Sequence, residues 1–352
     1  MTTHTDTTVM VALSGGVDSS AAAALLLQAG YRCTGVFMIT SNHNHHAQTA
    51  ARSVADKLGI RLHVLDLRRD FERILDYFCS EYRRGRTPNP CVLCNRLIKF
   101  GKLWDFARNE GAQFLATGHY ARVFKKNGQV GLYEAAGTAK DQSYALAMVD
   151  RKVLRHLILP MGSYSKRQTR EIAASLGLGT ECRRESQEIC FVPNDDYTAV
   201  LEQLHPDAAR RGDIIDKNGR ILGEHNGAHR FTIGQRRGLR VAMGQPYYVT
   251  QIDATSNTVT LGPEEQLMHS RLKATAVNWL VDEPAKAFTA TVRIRYNDDG
   301  APAKVIPQDD GVLVDFGEPT RAITPGQLAA FYIDEEPDAR LIGGGWIDKA
   351  IE

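Results

Sequence analysis

The stretch ALSGGVDSS, residues 12–20, decides the fold of this 352-residue chain. It follows the apolar segment VMVALS (9–14) and precedes an alanine- and leucine-rich segment that stops at Gly30. We therefore predict that it joins a buried strand to a helix. Gly15 and Gly16 permit a tight turn and let backbone N–H groups approach an anion closely. Together with the N-terminus of the helix, these groups predict a phosphate site.

Side chains of the same stretch support a phosphate site and also allow a simpler explanation. Three serine hydroxyls lie in it, those of Ser14, Ser19 and Ser20, and Asp18 is a candidate ligand for Mg²⁺ beside pyrophosphate. The lysine of a Walker A loop is absent, so transfer of a γ-phosphate is not expected. The simpler explanation is a capped glycine turn whose polar residues serve only the helix end. The complete string SGGVDSS between a strand and a helix favours phosphate binding.

Strand-like and helix-like segments alternate along the first half of the chain. Strands are predicted over 33–39, 61–67 and 113–119, and helices over 19–28, 47–59, 70–85 and 98–111. The segment 151–178 is also predicted to be helical. This alternation predicts an α/β fold with a doubly wound parallel sheet.

The pattern changes near residue 205, where short alternating segments and glycine turns replace the helices. TATVRIRY (289–296) is predicted to be a strand with Val292, Ile294 and Tyr296 on one face, and GVLVDF (311–316) alternates similarly. We predict three domains, the first catalytic, the second small and β-rich, and the last a β-barrel. Their predicted limits are 1–204, 205–270 and 271–352.

The composition is that of an ordinary globular protein. Hydrophobic residues make up 43% of the chain, and 43 basic against 41 acidic residues give a net charge of +2. This balance neither requires nor excludes a nucleic-acid partner, because such binding depends on local patches. No apolar run approaches the roughly 20 residues of a membrane span. The first residues, MTTHTDTTVMVALSGG, lack the pattern of a signal peptide, so a cytoplasmic location is expected.

Three of the six cysteines are candidates for chemistry. Cys91 and Cys94 form a C-x-x-C pair behind two prolines, and Cys190 lies far along the chain. A four-cysteine zinc site is disfavoured, because no second pair follows at short spacing. Two thiols on separate loops suit sulfur transfer, in which one carries a persulfide and the other attacks it or closes a disulfide. Such thiols need a low pKa, which nearby cations such as Arg96 or Lys99 would provide.

The other cysteines and a histidine-rich stretch have structural explanations. Cys33 and Cys79 are expected to be small buried hydrophobes, whereas Cys182, before a charged run, stays ambiguous. The stretch SNHNHHAQ (41–48) contains His43 and two further histidines, and we expect a solvated loop there rather than a metal site.

The motifs also carry a resemblance to known families. SGGVDSS resembles the PP-loop of the ATP pyrophosphatase superfamily, which cleaves ATP to AMP and pyrophosphate while adenylating a substrate oxygen. Seven further motifs occur in order: RTPNPCVLCN (86–95), ATGHYARV (116–123), KDQSYAL (140–146), ESQEICFVP (185–193), TIGQRRGL (232–239), VRIRY (292–296) and ITPGQLAAFY (323–332). Over essentially the whole chain they resemble the bacterial tRNA-specific 2-thiouridylases. That family replaces the 2-oxygen of the wobble uridine with sulfur in tRNAs for Lys, Glu and Gln.

The resemblance implies specific cofactors, partners and residue roles. The cofactors are ATP and Mg²⁺, and the partners are tRNA, a cysteine desulfurase and a sulfur-relay protein. Cys94 matches the catalytic cysteine and Cys190 the cysteine that carries the persulfide. The implied ATP contacts are Ala12, Leu13, Ser14, Gly15, Gly16, Val17, Asp18, Ser19, Met38 and Gly118. The implied contacts to the target base or tRNA are Asn89, Pro90, Cys91, His119, Lys140, Asp141, Gln142, Arg295, Tyr296 and Gln327.

Cys91 departs from the family pattern, in which many members carry an aspartate with an acid/base role. A thiol is not a simple replacement, since its reference pKa is about 8.5 against about 3.9 for aspartate. The departure opens a second route, in which Cys91, Cys94 and Cys190 ligate three irons of a 4Fe–4S cluster and the fourth iron carries sulfide. This route resembles the cluster-dependent tRNA thiolases. The closer family resemblance favours the persulfide route, and whether a Cys94–Cys190 disulfide forms stays open.

Two functions of other classes fit parts of the sequence. A PP-loop ligase acting on a small molecule would use the same loop but would not need Cys94 or Cys190. An RNA-binding module with a degenerate nucleotide site would bind tRNA without releasing pyrophosphate, and the intact SGGVDSS argues against it. The sequence as a whole therefore predicts an ATP-dependent tRNA sulfurtransferase.

Overall fold

The computed structural model describes residues 6–42, 44–136, 140–178, 189–241 and 244–352. His43 and Cys182, both considered above, lie outside these ranges. The α-helices are α1 (Val17–Gln28), α2 (His45–Lys57), α3 (Arg68–Arg83), α4 (Pro90–Cys94), α5 (Leu103–Asn109), α6 (Arg151–Leu154), α7 (Lys166–Ser175) and α8 (Tyr197–Leu204). A π-helical segment, Asn95–Lys102, joins α4 to α5. None of the helices described is long and apolar enough to cross a membrane.

The N-terminal strands build the sheet that positions the site. They are β1 (Thr8–Ala12), β2 (Arg32–Ile39), β3 (Leu62–Asp66), β4 (Phe114–Ala116), β5 (Arg122–Lys126), β6 (Gln129–Tyr133) and β7 (Leu157–Ile158). Five of them form a parallel sheet in the order β3-β2-β1-β4-β7, which confirms the predicted doubly wound fold. The strand order reverses between β1 and β4. The loops after these two strands therefore meet, as ligand-binding loops do in such sheets.

Apolar residues on both faces of β1 explain why the sheet is central. Val9 and Val11 pack in a cluster with residues of α1 and α2, while Met10 packs in another cluster with residues of α5. All three side chains are at most 1% exposed. Helices therefore cover both faces of the sheet, which is the arrangement that a continuous apolar strand predicts.

The segment 151–178, predicted to be helical throughout, contains the edge strand β7. β7 pairs with β4 through Leu115–Leu157 and Ala116–Ile158. Leu157 and Leu159 are only 5% and 6% exposed. The apolar residues of β7 therefore lie buried at the edge of the parallel sheet, next to β4. Two paired residues are too few to produce a strand period in the sequence, which is why the helical prediction was wrong here.

The middle of the chain forms a separate, small mixed β-sheet. Its strands are β8 (Gly212–Ile215), β9 (Ile221–His225), β10 (Tyr248–Asp253) and β11 (Thr258–Gly262), in the order β10-β11-β8-β9. Ile214, Val249 and Val259 form its core together with Phe231 and Leu261. The β-rich character predicted for this part is confirmed.

The C-terminal part is a closed barrel of six strands. They are β12 (Met268–Trp279), β13 (Phe288–Arg293), β14 (Ala301–Gln308), β15 (Gly311–Arg321), β16 (Leu328–Glu335) and β17 (Asp338–Ile351). Their order is β12-β15-β14-β13-β16-β17, and β12 also pairs with β17, which closes the barrel. The predicted β-barrel is therefore confirmed.

Strand β13 is shorter than the strand predicted over 289–296. It ends at Arg293, and Ile294 donates its backbone N–H to Asp298 Oδ2 (2.9 Å) within the turn that follows. Ile294 is buried, whereas Tyr296, which was predicted to lie on the same face of the strand, is 43% exposed. Arg295 and Tyr296 therefore lie in a bend after the strand, because the aspartate turn redirects the backbone.

The hairpin β5–β6 ties the N-terminal part of the chain to the barrel. β6 pairs with β17 and extends the barrel sheet to eight strands. Across this junction Arg122 donates to the Asp338 carboxylate (2.6 Å), and Lys126 donates to the Glu335 carbonyl (2.7 Å). The sequence did not predict this link. The predicted domain limits at 204 and 270 stay predictions.

Candidate active site

The loop after β1 is held by its own serines and by close packing. Ser19 Oγ donates to the Gly16 carbonyl (3.0 Å) and accepts from the Ser14 N–H (3.2 Å). Gly15 has a φ of +75°, and a Cβ on it would lie 2.6 Å from the Ala47 carbonyl oxygen. A side chain would therefore force α2 away. Gly16 is the N-cap of α1, so the unpaired N–H groups of the first helical turn border the loop.

Asp18, the candidate Mg²⁺ ligand, is bound by side chains from two distant segments. Lys166 Nζ lies 2.7 Å from both carboxylate oxygens, and the Tyr120 hydroxyl donates to Oδ1 at 2.7 Å. The same hydroxyl lies 3.0 Å from Thr169 Oγ1. Sequence reasoning missed Lys166 and Tyr120, because they are 148 and 102 residues from Asp18 and no local spacing reveals them.

The remaining predicted ATP contacts surround this loop. A Cβ on Gly118 would lie 2.8 Å from the backbone of Asp18 and of Ser19, so the loop after β4 touches α1 as only glycine allows. Met38, at the end of β2, is half-buried in a cluster that also contains Cys94. The others belong to the end of β1 and the start of α1: Ala12, Leu13 and Val17.

Cys91 and Cys94 lie in the short helix α4 and not in the loop that the prolines predicted. Asn89 caps this helix by accepting a hydrogen bond from the Val92 N–H (3.3 Å), and Pro90 is the first residue of the helix. Cys91 is exposed and Cys94 is half-buried. The prolines and the capping asparagine therefore start a helix, which fixes the spacing of the two thiols.

The segment before α4 is fastened to the C-terminal barrel. Gln327 Nε2 donates to the carbonyls of Thr87 (3.0 Å) and Pro88 (3.2 Å). The Thr87 N–H donates to the Pro325 carbonyl (2.9 Å). Gln327 was predicted to contact tRNA. In this structure its amide positions the segment that leads to the first two cysteines.

Cys190 reaches the same place from a distant part of the chain. It is exposed, and the ring of the next residue, Phe191, contacts Phe78 of α3 edge-on with centroids 5.2 Å apart. The neighbouring residue of α3, Tyr77, accepts a hydrogen bond from the Asn89 N–H at 3.5 Å. Helix α3 therefore supports both cysteine segments.

The three thiols form one electrostatic group with Lys99. Burial raises the pKa of Cys91, Cys94 and Cys190, that of Cys190 to about 11, and Lys99 opposes the rise at each thiol. Cys91 and Cys190 are exposed, yet the surrounding protein removes enough hydration to outweigh one cation. The low thiol pKa predicted from the sequence is therefore wrong for this structure. Among the residues described, no group of three or more His, Cys, Asp or Glu side chains is arranged to hold a metal ion.

The π-helical segment places Lys99 beside these thiols. A π-helical turn pairs residues five apart, so Lys99 returns to the side of Cys94, five positions earlier. Gly101 permits the wide turn, since a Cβ there would lie 3.0 Å from the Arg96 carbonyl oxygen. Asn95 Nδ2 anchors the start of the segment on the Ala145 carbonyl (2.9 Å).

His119 joins the cysteine group to the phosphate loop, since it follows Gly118 directly. Lys99 Nζ lies 3.5 Å from His119 Nε2, and Thr117 Oγ1 lies 2.7 Å from Nδ1. An ammonium group can only donate, so Nε2 accepts and Nδ1 donates to Thr117. Burial, with Lys99 adding to it, holds the pKa of His119 well below its ordinary value. The ring is therefore neutral near pH 7, and any contact it makes with RNA is a hydrogen bond rather than an ion pair.

Two residues of KDQSYAL that were predicted to contact tRNA, Asp141 and Gln142, make hydrogen bonds within the protein. Asp141 accepts hydrogen bonds from the Ala135 N–H (2.9 Å) and the Ser143 hydroxyl (2.5 Å). Gln142 accepts from the Tyr120 N–H (2.9 Å). These bonds brace the loop after β4 against the end of β6.

The predicted contacts in the bend after β13 are divided between internal and exposed positions. Arg295 donates to the carbonyls of Arg321 (2.7 Å) and Ala322 (2.9 Å). The Tyr296 side chain is exposed to solvent. Its ring contacts the ring of Tyr144, in the KDQSYAL motif, edge-on with centroids 6.4 Å apart. The structure therefore brings the VRIRY and KDQSYAL motifs together. Lys140, at the start of the second motif, is half-exposed.

Comparison with known proteins gives the family. Three family models match consecutive parts of the chain: a tRNA methyl transferase HUP domain at 7–194, a tRNA methyl transferase PRC-barrel domain at 199–263 and an aminomethyltransferase beta-barrel domain at 269–347. The tRNA-specific 2-thiouridylase MnmA of Carboxydothermus hydrogenoformans is 45% identical and covers 97% of this chain and 98% of its own length. The same enzyme of Syntrophotalea carbinolica is 44% identical and covers 96% and 98%.

The chain belongs to the tRNA-specific 2-thiouridylase family. This membership confirms the predicted family and the predicted enzyme class, a tRNA sulfurtransferase, and it supports the use of ATP. Among solved structures, a 4-thiouridine synthetase–RNA complex with bound ATP covers 58% of this chain and 52% of its own, with 19% identity and a TM-score of 0.38. That similarity is weak.

Proposed function

We propose that this 2-thiouridylase uses ATP to activate the 2-oxygen of the wobble uridine in tRNAs for Lys, Glu and Gln, and replaces it with sulfur carried as a persulfide. One observation carries the proposal. Met38 beside the phosphate loop, Cys94 of α4 and Phe191 beside Cys190 pack in a single hydrophobic cluster. A nucleotide held by the loop and a sulfur atom held by Cys190 would therefore be neighbours.

The first step is adenylation of the base. The uridine 2-oxygen attacks the α-phosphorus of ATP, the bond from that phosphorus to the β-phosphate oxygen breaks, and pyrophosphate leaves. Donors fixed before the reaction stabilise the charge on the phosphates most strongly, and the first-turn N–H groups of α1 are such donors. The product carries AMP on C2 as a leaving group.

The second step is sulfur transfer. The terminal sulfur of a Cys190 persulfide attacks C2, and AMP leaves with the electrons of the C–O bond. Cys94 then attacks Cys190 Sγ, the persulfide S–S bond breaks, and 2-thiouridine is released as a Cys94–Cys190 disulfide forms. A thiol reductant restores both cysteines. Lys99 stabilises the anionic forms of both thiols, which burial otherwise disfavours.

Mg²⁺, which the family resemblance implies, and the 4Fe–4S cluster of the alternative route differ in how the residues fit them. Asp18 lies on the phosphate loop, and one carboxylate beside a polyphosphate is a common way to hold Mg²⁺. Bound there, Mg²⁺ would neutralise charge on the pyrophosphate. A 4Fe–4S cluster would take three thiolates, but the three thiols as arranged among the described residues form no metal-binding group. The persulfide route, which needs two of them, fits this arrangement better.

The sulfur must come from outside the chain. A cysteine desulfurase, acting through a sulfur-relay protein, would load the persulfide on Cys190. The exposure of Cys190 supports such a transfer, because its Sγ atom must attack the terminal sulfur of a partner's persulfide in line with the S–S bond that breaks, and the partner's thiolate then leaves.

The test separates the two steps. The protein is mixed with unmodified tRNA, ATP, Mg²⁺ and a sulfur donor, and pyrophosphate and 2-thiouridine are measured separately. Cys94→Ser and Cys190→Ser should keep pyrophosphate release and lose 2-thiouridine. Cys33→Ser, at the second residue of β2, is the matched control and should keep both. Full 2-thiouridine formation by the first two variants would overturn the persulfide route, and tRNA binding without pyrophosphate release would favour an RNA-binding module.

A further inference from the structure

The proposed reaction leaves Cys190 blocked after each turnover. Release of 2-thiouridine forms a Cys94–Cys190 disulfide, and a sulfur atom held in a disulfide cannot accept another sulfur until that bond is opened. A reductant from outside has to reach the bond by diffusion. Cys91, the third thiol of the group, takes no part in sulfur transfer and is free to open the bond from within the protein.

Helix α4 places Cys91 and Cys94 where they can be joined. The two residues lie three positions apart in Pro90–Cys94, so helix geometry sets their Cα atoms about 5 Å apart on neighbouring positions of one face. That separation is within the range that a disulfide spans. A Cys91–Cys94 bond therefore needs rotation of two side chains within α4 and no movement of another segment.

Cys190 is within electrostatic reach of this pair. Burial raises the pKa of Cys190 most, a negative charge on either thiol of α4 raises it further, and Lys99 lowers the pKa of all three thiols. Thiol–disulfide exchange moves negative charge from the attacking sulfur to the leaving sulfur. One ammonium group therefore stabilises the charge both where the exchange starts and where it ends.

Accessibility suits Cys91 to the reduction that must follow. Its side chain is exposed, whereas that of Cys94 is half-buried. In a disulfide of α4 the exposed sulfur is therefore that of Cys91, and an external dithiol can attack it in line with the S–S bond. Such a reduction takes place on α4 and does not involve the turn at Cys190.

We propose that Cys91 is a resolving thiol that frees Cys190 after each turnover. Its sulfur attacks Cys94 Sγ, the Cys94–Cys190 bond breaks, and the electron pair of that bond leaves on Cys190. The proton of the Cys91 thiol passes to Cys190, so the exchange itself needs no oxidant or reductant. It yields a Cys91–Cys94 disulfide and a Cys190 thiol ready for the next sulfur atom. An external dithiol then reduces the disulfide of α4 and is itself oxidised to a disulfide.

The exchange precedes outside reduction because its reactants are already held together. Cys91 and Cys94 share one helical turn, so the attack is intramolecular and has a high effective concentration. The inference rests on the proposed persulfide route and gives a redox role to the position where many family members carry aspartate, which cannot exchange with a disulfide.

Disulfide mapping after one turnover tests this role. Protein with one extra sulfur atom on Cys190 is freed of small thiols, given tRNA, ATP and Mg²⁺, stopped with N-ethylmaleimide in mild acid, and analysed by peptide mass spectrometry without reduction. The wild type should contain a Cys91–Cys94 disulfide and alkylated Cys190. Cys91→Ser should keep the Cys94–Cys190 disulfide, so alkylated Cys190 per 2-thiouridine should fall at least about tenfold. Cys33→Ser, the matched control in β2, should behave as the wild type.

Two further measurements keep the test decisive if Cys91→Ser folds poorly. In the wild type alone, one Cys91–Cys94 disulfide should form for each 2-thiouridine. Cys91→Asp should keep the Cys94–Cys190 disulfide, as Cys91→Ser does. A Cys94–Cys190 disulfide that persists in the wild type would overturn the proposal, as would equal alkylation of Cys190 in the wild type and in either variant.

The same data separate this inference from the proposed function. If 2-thiouridine forms and the wild type keeps its Cys94–Cys190 disulfide, the role of Cys91 is overturned and the persulfide route stands. If 2-thiouridine forms while all three thiols stay open to alkylation, or if no 2-thiouridine forms, the persulfide route is overturned and the inference falls with it.

Discussion

The two segments that carry the candidate cysteines are held in place by different forces. The segment before Cys91 and Cys94 is fixed by hydrogen bonds from the barrel to its backbone, at 3.0 and 3.2 Å from Gln327. The turn at Cys190 is held by aromatic packing of Phe191 on α3, with edge-on contacts to Phe71 and Phe78. Hydrogen bonds fix direction and register, whereas hydrophobic contacts are non-directional.

This difference suits the two proposed roles. In the proposed mechanism Cys94 stays at a set place relative to the target base, and its segment is tied to the barrel domain, which carries the proposed tRNA contacts Arg295 and Tyr296. Cys190 has to receive sulfur from a partner and then present it at the base. The described contacts that seat this turn on α3 are aromatic, so we expect a partner to displace it more easily than the segment before Cys91.

The largest expected effect is the loss of either proposed sulfur-transfer thiol. Cys94→Ser and Cys190→Ser should each lower 2-thiouridine formation by at least about a thousandfold, because serine is a far weaker nucleophile and the two thiols act as a unit. In a single turnover Cys91→Ser should lie within about tenfold of the wild type, since neither the transfer of sulfur nor the release of 2-thiouridine uses it. Equal inactivation of all three variants would mean that the three thiols act together, which contradicts the persulfide route.

The next effect is the pH dependence of thiol alkylation. Because burial raises the pKa of Cys190 to about 11, its thiolate fraction is small at neutral pH and should grow about tenfold per pH unit. Between pH 7 and pH 9 its iodoacetamide rate, followed by peptide mass spectrometry, should therefore rise about a hundredfold without levelling off. Cys94, whose pKa is also raised, should behave alike. Rates that level off below pH 8 would show low-pKa thiols and contradict this reading.

A smaller effect should follow from removing the cation that both segments share. Lys99 lowers the pKa of Cys94 and of Cys190, so Lys99→Met should raise both and slow alkylation at pH 8 by about three- to tenfold. Lys102→Met is the matched control, because Lys102 pairs with Asp70 at 3.2 Å instead. If only one of the two thiols responds, the segments do not share one electrostatic group.

The smallest effects should distinguish the two kinds of anchor. Phe191→Ala should cost about 2 kcal/mol of unfolding free energy, less than the roughly 3 to 5 kcal/mol of a fully buried phenylalanine, because Phe191 is partly buried. Gln327→Ala should cost about 1 to 2 kcal/mol through two lost hydrogen bonds. Alkylation at pH 8 should change mainly at Cys190 in the first variant and at Cys94 in the second. The reverse pattern would show that the anchors are wrongly assigned.

The fold could be predicted from sequence wherever the signal is local. The strand–glycine turn–helix at 8–28 and the alternating segments of the barrel are patterns within a few residues, and the structure has them. The two-residue strand β7 carries no period, and the end of β13 depends on one side chain, Asp298. Both lie below what residue patterns can resolve.

The site could be predicted in part, for the same reason. The motifs singled out the glycine–serine loop and the three cysteines, whose roles stay predictions. They did not reveal Lys166, 148 residues from Asp18, or the use of Gln327 to hold a carbonyl 240 residues away. The raised pKa values of the thiols could not be predicted from the sequence either. They depend on how α3, α4 and the turn at Cys190 pack around the sulfur atoms and exclude water.

One measurement tests the central claim most directly, that sulfur travels on Cys190 to an adenylated tRNA. Protein purified without oxygen is loaded with sulfur by a desulfurase, analysed for iron and acid-labile sulfide, and given one turnover with tRNA, ATP and Mg²⁺. The account predicts iron-free protein with one extra sulfur atom on the Cys190 peptide, and loss of that atom as an equal amount of 2-thiouridine appears. Thiolation only by protein that holds an iron–sulfur cluster, with no sulfur added to Cys190, would contradict it.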